Sequence, residues 1–189
     1  MIPTERLPFP NSLAMDLELS WTVTRVGKQP HIDYQSGDQL RIDYRVTNRR
    51  ATSVQLVDRL PWRNEANPDI IIVRNDPSPH TVAFTRAYVA AKEYMLSIPF
   101  PIVRVLDPGE TVEAHAFAPW PLHAWHNFSR KMDPIRPGTT HGVLEIGYID
   151  EPSAQLEAMT GLHAGIEYTS SGFGDQKLLR GEPLPLPAT

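Results

Sequence analysis

The most unusual local composition in the chain lies in the ten residues that begin at Trp120, which hold two of the four tryptophans and two of the seven histidines. His123 and His126 could bind copper or zinc, because imidazole is a ligand that both metals accept. Either His115 or Met132 could supply a further ligand. No glutamate completes the HExxH arrangement of metalloproteases. A metal or small-ligand carrier is therefore one hypothesis for this segment.

The aromatic residues of the same segment allow two further interpretations. Trp120, Trp125 and Phe128 could form an exposed contact surface for a ligand or a partner protein, since exposed aromatic side chains dominate interface energetics. Alternatively, they could plug one end of the fold as part of its core, with the histidines at the surface. The sequence leaves the metal site, the contact surface and the plug open, and we favour the plug.

The remainder of the chain carries no recognisable catalytic motif. The absence of cysteine excludes thiol catalysis, disulfides and cysteine-ligated zinc. No Gly-x-Ser-x-Gly elbow is present, and no Asp-x-Asp-x-Asp series indicates a calcium site. The glycine-rich stretch at 172–175 lacks the spacing of a phosphate-binding loop. We therefore expect no enzyme activity and no cofactor, apart from a metal at the histidines if they bind one.

The charge and hydropathy of the chain exclude several classes of partner. The net charge is −4, and residues of both signs are interleaved, whereas a nucleic-acid-binding surface would show clustered basic residues. No apolar run approaches the roughly 18 residues of a membrane span. The N-terminus lacks the charged start and apolar core of a signal peptide. The expected compartment is cytoplasmic, or periplasmic or cell-surface if a signal segment has been removed.

Alternation of apolar and polar side chains predicts β-strands over much of the chain. It is clearest at 16–24, 40–46 and 54–60, because successive side chains of a strand face opposite sides of the sheet. Shorter strands are predicted at 70–73, 112–118, 144–148, 165–169 and 176–179. The 19 prolines disfavour long helices. The pattern therefore predicts an all-β domain with long loops.

Two segments are harder to assign. Residues 81–98 alternate at both ends but are rich in alanine at the centre, so 85–96 could be helix or strand, and we favour a pair of strands. At 151–159, Pro152 near the start and Gly161 beyond the end suit a short helix. The total prediction is seven to nine strands and one short helix.

The segment 37–61 shows a distinctive order of turns and strands. A Gly-Asp turn at Gly37 precedes a strand that ends at Asn48, and the next strand closes with Asp-Arg-Leu-Pro at Pro61. A Pro-Gly-Glu turn follows within 106–111. These features resemble the bacterial conserved-repeat immunoglobulin-like domains of surface proteins. The resemblance implies an immunoglobulin-like β-sandwich for this chain.

These observations lead to a domain organisation and an expected function. Residues 1–14 form an extended lead-in, 15–182 form the sandwich with an insertion at 62–106, and 183–189 form a tail. We expect a non-catalytic module that binds a partner protein, or another copy of itself, through its long loops or an open edge strand. Sheet edges invite such strand addition.

Overall fold

The structure, a computed structural model, describes residues 17–29, 37–62, 65–67, 69–89, 101–127, 129–150 and 176–188. These residues contain eleven β-strands and no helix. The strands form two separate sheets, one of three strands and one of eight. The predicted all-β class is therefore confirmed, and the two sheets are consistent with a β-sandwich.

The strands are numbered in chain order, and their bounds are β1 Leu17–Val26, β2 Asp38–Asn48, β3 Val54–Trp62, β4 Glu65–Asn67, β5 Ile72–Asn75, β6 Thr81–Arg86, β7 Ile102–Leu106, β8 Thr111–Trp120, β9 His141–Ile149, β10 Lys177–Arg180 and β11 Leu184–Pro185. The smaller sheet has the order β1-β2-β8. The larger sheet contains the other eight strands, and β9 pairs with four of them. Consecutive strands β2 and β3 therefore lie in different sheets.

The smaller sheet contains β1 and β2, two of the strands whose sequence pattern was clearest. β1 pairs antiparallel with β2, from Leu17 opposite Asn48 to Val26 opposite Gln39, without a break in register. β8 pairs antiparallel with the other side of β2. The apolar residues of β1 and β2 face the larger sheet, because burial alternates along both strands. The alternation of the sequence thus specifies which face of this sheet is inside.

The larger sheet is organised around β9. Seven of the nine residues of this strand are buried, as expected for a strand with neighbours on both sides and cover on both faces. β6 runs parallel to β9, with Thr81 opposite His141 and Arg86 opposite Ile146. β3, β10 and β11 pair with β9 antiparallel.

The main core lies between the two sheets. Leu40 and Ile42 of the smaller sheet pack in one cluster with Phe84 and Leu144 of the larger sheet, and all four are fully buried. Burial of each such side chain stabilises the fold by about 2 kcal/mol. A second cluster consists of Val57, Leu60, Ile70, Ile72 and Ile149. Ile72 lies between Ile71 and Val73, which belong to the main core. Because successive side chains of a strand face opposite sides of the sheet, the second cluster lies on the other face of the larger sheet.

The predicted Pro-Gly turn before β8 is present. The Glu110 amide donates to the Asp107 carbonyl at 3.0 Å, and Gly109 has a φ of 78°, which glycine adopts without strain. Asn48 fastens this turn to the end of β2, because its side-chain amide donates to the Leu106 carbonyl at 2.9 Å. The Asn48 carbonyl in turn accepts from the Gly109 amide at 2.8 Å.

Three expectations differ from the structure. The predicted total of seven to nine strands is wrong, because the described residues contain eleven. Strands as short as β4 and β11, of three and two residues, carry too little pattern to be recognised. Trp120 is the last residue of β8 and not a loop residue. The segment 62–106, expected to be an insertion, supplies β4, β5, β6 and β7 to the larger sheet.

Other expectations fall partly or wholly on residues that are not described. β6 confirms a strand at the start of the ambiguous 81–98 region, and residues 90–98 lie outside the described part. The helix predicted at 151–159 and the strand predicted at 165–169 also lie outside it. Those predictions stay predictions.

Candidate interaction site

Trp120 lies in the core and not at the surface. Its side chain is 5% exposed and belongs to the main cluster between the sheets. It ends β8, and the peptide bond that joins it to Pro121 is cis. This position favours the plug interpretation of the aromatic segment, because Trp120 has almost no surface to offer a ligand or a partner.

Trp125 fastens the same segment to the edge of the larger sheet. The Val73 amide donates to the Trp125 carbonyl at 2.8 Å, and the Trp125 amide donates to the Val73 carbonyl at 2.9 Å. The half-buried indole packs against the main core, against the second cluster and against Phe117. The segment therefore covers the edge of β5. Phe128, the third predicted contact residue, lies outside the described residues.

His126 is buried, and both of its ring nitrogens form hydrogen bonds. Its Nδ1 accepts from the Ser129 amide at 3.1 Å, so Nε2 carries the proton and donates to the Val89 carbonyl at 3.0 Å. Burial lowers the pKa of His126, and the bond to Val89 opposes that shift only in part. A metal ion could bind this imidazole only by displacing one of the two partners.

His123 is exposed, with Nδ1 3.3 Å from the Pro121 carbonyl oxygen. A groove of about 500 Å³ is lined by His123, His126 and Met132 among others, so three of the four predicted metal ligands share one surface. His115 is elsewhere, on β8. No three His, Cys, Asp or Glu side chains converge on a metal position within the part of the chain that the structure describes. The geometry gives no support to the metal hypothesis, which stays a prediction.

A buried ionic network holds the C-terminal strand β10 to the larger sheet. Arg180 on β10 donates to Glu145 at 2.7 Å and also to Asp76. Glu145 accepts further bonds from Arg74 at 2.6 Å and from Thr85 at 2.7 Å. The Glu145 and Asp76 side chains are 2% and 0% exposed. Their charges are therefore balanced by the arginines and hydrogen bonds and not by water.

The surroundings of Asp76 keep its carboxylate ionised. Burial raises the pKa of Asp76, but hydrogen bonds from Ser78 and Arg180 outweigh burial, so the pKa lies below its usual value. This network was not predicted from the sequence. The available signal was Glu145 itself, a single carboxylate in the otherwise apolar sequence of β9.

Arg86 links the two sheets across the core. It is 1% exposed, it donates to the hydroxyl of Tyr44, and its guanidinium lies 5.5 Å from the centre of the Tyr44 ring. A weaker bond of 3.5 Å reaches the His115 carbonyl. The burial of Arg86 was not predicted from the sequence.

The sheet edges differ in how well they are covered. The edge of β8 is covered at Phe117, whose amide donates to the Asp69 carbonyl at 2.7 Å, and β5 is covered by Trp125. β4, β7 and β10 are edges of three, five and four residues. β1 and β8 are the longest edges, with ten residues each. Within the described residues β1 pairs with β2 alone, whereas Phe117 of β8 also forms a bridge to Ile70.

The free edge of β1 lacks the features that usually prevent strand addition. Natural edges are protected by lysine, proline, β-bulges, short length or cover from a loop. β1 has the sequence LELSWTVTRV, with no lysine or proline, and its register with β2 is unbroken. Ser20, Thr22 and Thr24 are exposed on its outer face, and Leu19 and Val23 are half-buried on its inner face. The middle of this edge is therefore flat and uncharged.

The two charged residues of β1 are bonded towards β2. Glu18 lies 3.0 Å from the guanidinium of Arg49, and Arg25 lies 2.7 Å from the carboxylate of Asp38. Arg49 follows the end of β2 and Asp38 begins it. Both charges are thereby drawn away from the free side of the strand.

Comparison with known proteins adds no family to this picture. No family model matches the chain, and neither a curated protein nor a solved structure was found to be similar to it. The described residues contain no helix that is long and apolar enough to cross a membrane. The immunoglobulin-like resemblance thus rests on residues 37–61 and 106–111.

Proposed function

We propose that this chain is a non-catalytic, immunoglobulin-like binding module that accepts an extended segment of a partner protein along β1. The observation that carries the proposal is the ten-residue edge of β1, with which no strand of the described residues other than β2 pairs. An added strand gains backbone hydrogen bonds along the edge, and specificity comes from alternate side chains. The partner segment would cover Leu19 and Val23 with its inward side chains.

The immunoglobulin-like part of the proposal is supported by the path of the chain. Consecutive strands β2 and β3 lie in different sheets, as strands B and C do in immunoglobulin domains. The parallel pair of β6 and β9 departs from the antiparallel sheets of that fold. The proposal therefore concerns a variant of the sandwich.

The predicted loop site supports this proposal less well than the edge does. Trp120 is buried, Trp125 is fixed to Val73 by two backbone bonds, and both ring nitrogens of His126 are engaged. A protein contact at this loop would need side chains that already serve the fold. β1 offers backbone donors and acceptors without such a cost.

The test uses lysine substitutions on two different edges. The full chain, the double variant Ser20→Lys/Thr22→Lys and the control Val105→Lys would each be immobilised and exposed to a lysate of the source cells. Val105 is an exposed residue of the β7 edge. We expect a partner that the wild type and the control retain and the double variant loses, together with slower hydrogen exchange in β1 when the partner is bound. A partner retained equally by all three proteins would contradict the proposal.

A further inference from the structure

We infer that the strand that β1 accepts is β1 of a second copy, paired antiparallel about a two-fold axis at Trp21. This inference rests on the proposed function, because it names the partner for the same edge. It predicts a continuous six-stranded sheet of order β8-β2-β1-β1-β2-β8 across two copies. The reason is that the β1 sequence is complementary to itself when two copies of the strand run antiparallel.

Symmetry restricts the possible registers. A two-fold axis perpendicular to a sheet keeps outward side chains outward, so an outward residue of one copy faces an outward residue of the other. From Leu17 to Thr24, outward residues have even numbers and are exposed, and inward residues have odd numbers and are buried or half-buried. The pattern ends there, because Arg25 is exposed and Val26 is half-buried. The axis must therefore pass beside one residue, which then lies opposite its own symmetry mate.

The register centred on Trp21 matches the outward residues well. Ser20 lies opposite Thr22 of the second copy, and Glu18 lies opposite Thr24 of the second copy. Each hydroxyl thereby gains a hydroxyl or carboxylate neighbour, and such cross-strand pairs stabilise a sheet. No two like charges face each other. The outward row is therefore complementary to itself from Glu18 to Thr24.

The same register matches the inward residues. Leu19 lies opposite Val23 of the second copy, and these are the two half-buried apolar residues of the strand. Pairing would cover the apolar surface that each leaves exposed. Trp21 lies opposite its own symmetry mate, and its orientation is fixed because Nε1 donates to the Glu182 carbonyl at 2.9 Å.

Shifting the axis to Thr22 loses these matches. Glu18 would then lie opposite Val26 of the second copy, and Leu19 would lie opposite Arg25 of the second copy. A carboxylate and a guanidinium would each face an apolar side chain. The Trp21 register has one such mismatch, Leu17 opposite Arg25 of the second copy, against two in the Thr22 register. An axis at Ser20 would pair only residues 17–23 of the two strands. The Trp21 register therefore combines a long pairing with few mismatches.

The expected dimer is weak. One pair of ten-residue strands forms an interface at or below the roughly 1,200 Å² lower limit of stable complexes. We therefore expect a dissociation constant on the order of 10 to 100 μM. An interface of this size predicts a reversible dimer whose population rises with protein concentration.

Sedimentation and cross-linking of the full chain test the inference. We expect the wild type and Val105→Lys to dimerise with rising concentration, and Ser20→Lys/Thr22→Lys to dimerise at least about tenfold more weakly, because the lysines would face each other. A protein that is monomeric into the millimolar range would overturn the inference. In that case the capture experiment above would still decide the proposed function, since a different strand could occupy β1.

The register is tested separately, because the chain contains no cysteine. Ser20→Cys and Thr22→Cys would be purified separately, mixed and mildly oxidised. We expect the disulfide to join Ser20→Cys to Thr22→Cys in preference to either variant with itself. Preferential linkage of Thr22→Cys to itself would place the axis at Thr22 and overturn the inferred register. These single exposed substitutions also report on pairing if the double lysine variant fails to fold.

Discussion

The guanidinium of Arg180 lies 2.7 Å from the carboxylate of Glu145 and binds the carboxylate of Asp76 with its other terminal nitrogen. One side chain of the C-terminal strand thus neutralises two buried acids that belong to different parts of the larger sheet. Replacing it would leave Asp76 without a counter-ion in a buried position.

Arg180→Met is therefore expected to destabilise the fold by about 2 to 4 kcal/mol, somewhat less than loss of a fully buried pair, because Arg180 is partly solvated. Urea unfolding at pH 7 measures the change. The control is Arg45→Met, whose pair with Glu113 is more than half exposed on both sides and should contribute less than about 1 kcal/mol. Equal effects of the two variants would show that the buried network has no special role.

Acid should weaken the fold through Asp76 and Asp150. Burial raises the pKa of each carboxylate, and hydrogen bonds lower it by more. The bonds to Asp150 come from Lys177 and Arg50. Both pKa values therefore lie below the usual range. A lowered carboxylate pKa contributes stability that is complete above the unfolded value near 3.9 and is lost as pH falls through the folded value. We expect urea midpoints to fall steeply below about pH 4. Asp76→Asn should be less stable at pH 7 and show a shallower fall.

A second pH dependence is expected at His126, in a higher range. Because burial lowers its pKa, the folded chain binds fewer protons than the unfolded chain once the pH falls below the unfolded value of about 6.5. Stability is complete above that value and declines as the pH falls towards the folded pKa. We expect ring ¹⁵N shifts to show a neutral His126 protonated on Nε2 at pH 7. A protonated ring at that pH would contradict the buried, doubly bonded geometry.

Asn48 offers a test of the link between β2 and the turn before β8. Its side-chain amide donates to the carbonyls of Leu106 and Thr52, each at 2.9 Å. The side-chain oxygen of Asn48 also accepts from the Arg50 amide at 3.0 Å. Asn48→Ala should cost about 2 kcal/mol, because it removes three bonds and leaves a buried carbonyl without a donor. Gln29→Ala removes a comparable bond at an exposed position and should change stability by less than about 0.5 kcal/mol. Both changes are measured by thermal and urea unfolding.

The parts of the fold that could be predicted are those with one buried face. β1 and β2 were found because apolar and polar residues alternate along them, and the Pro-Gly turn was found because proline and glycine each suit a defined backbone angle. β3 was also found from alternation, although it contributes residues to both apolar clusters. The position of Trp120 was missed because the apolar end of β8 does not alternate and contains Pro119. Its assignment to a loop followed from local composition alone.

The sequence could predict the kind of binding surface but not its position in the fold. The sequence indicated that an open edge strand was a plausible binding surface, but it did not identify β1, because strand order in a sheet depends on pairings between distant residues. The ionic network was missed for the same reason. Asp76, Glu145 and Arg180 come together only when three separate strands have been placed.

The parallel pairing of β6 with β9 has a consequence for how the chain is made. Thr81 pairs with His141, sixty positions later in the chain. During synthesis β6, whose six residues are all buried in the fold, therefore leaves the ribosome well before this neighbour exists. Pairings between such distant residues form slowly, and unpaired apolar strands promote aggregation in the meantime. Variants that weaken β9 should therefore reduce the soluble yield on expression more than their effect on equilibrium stability would suggest.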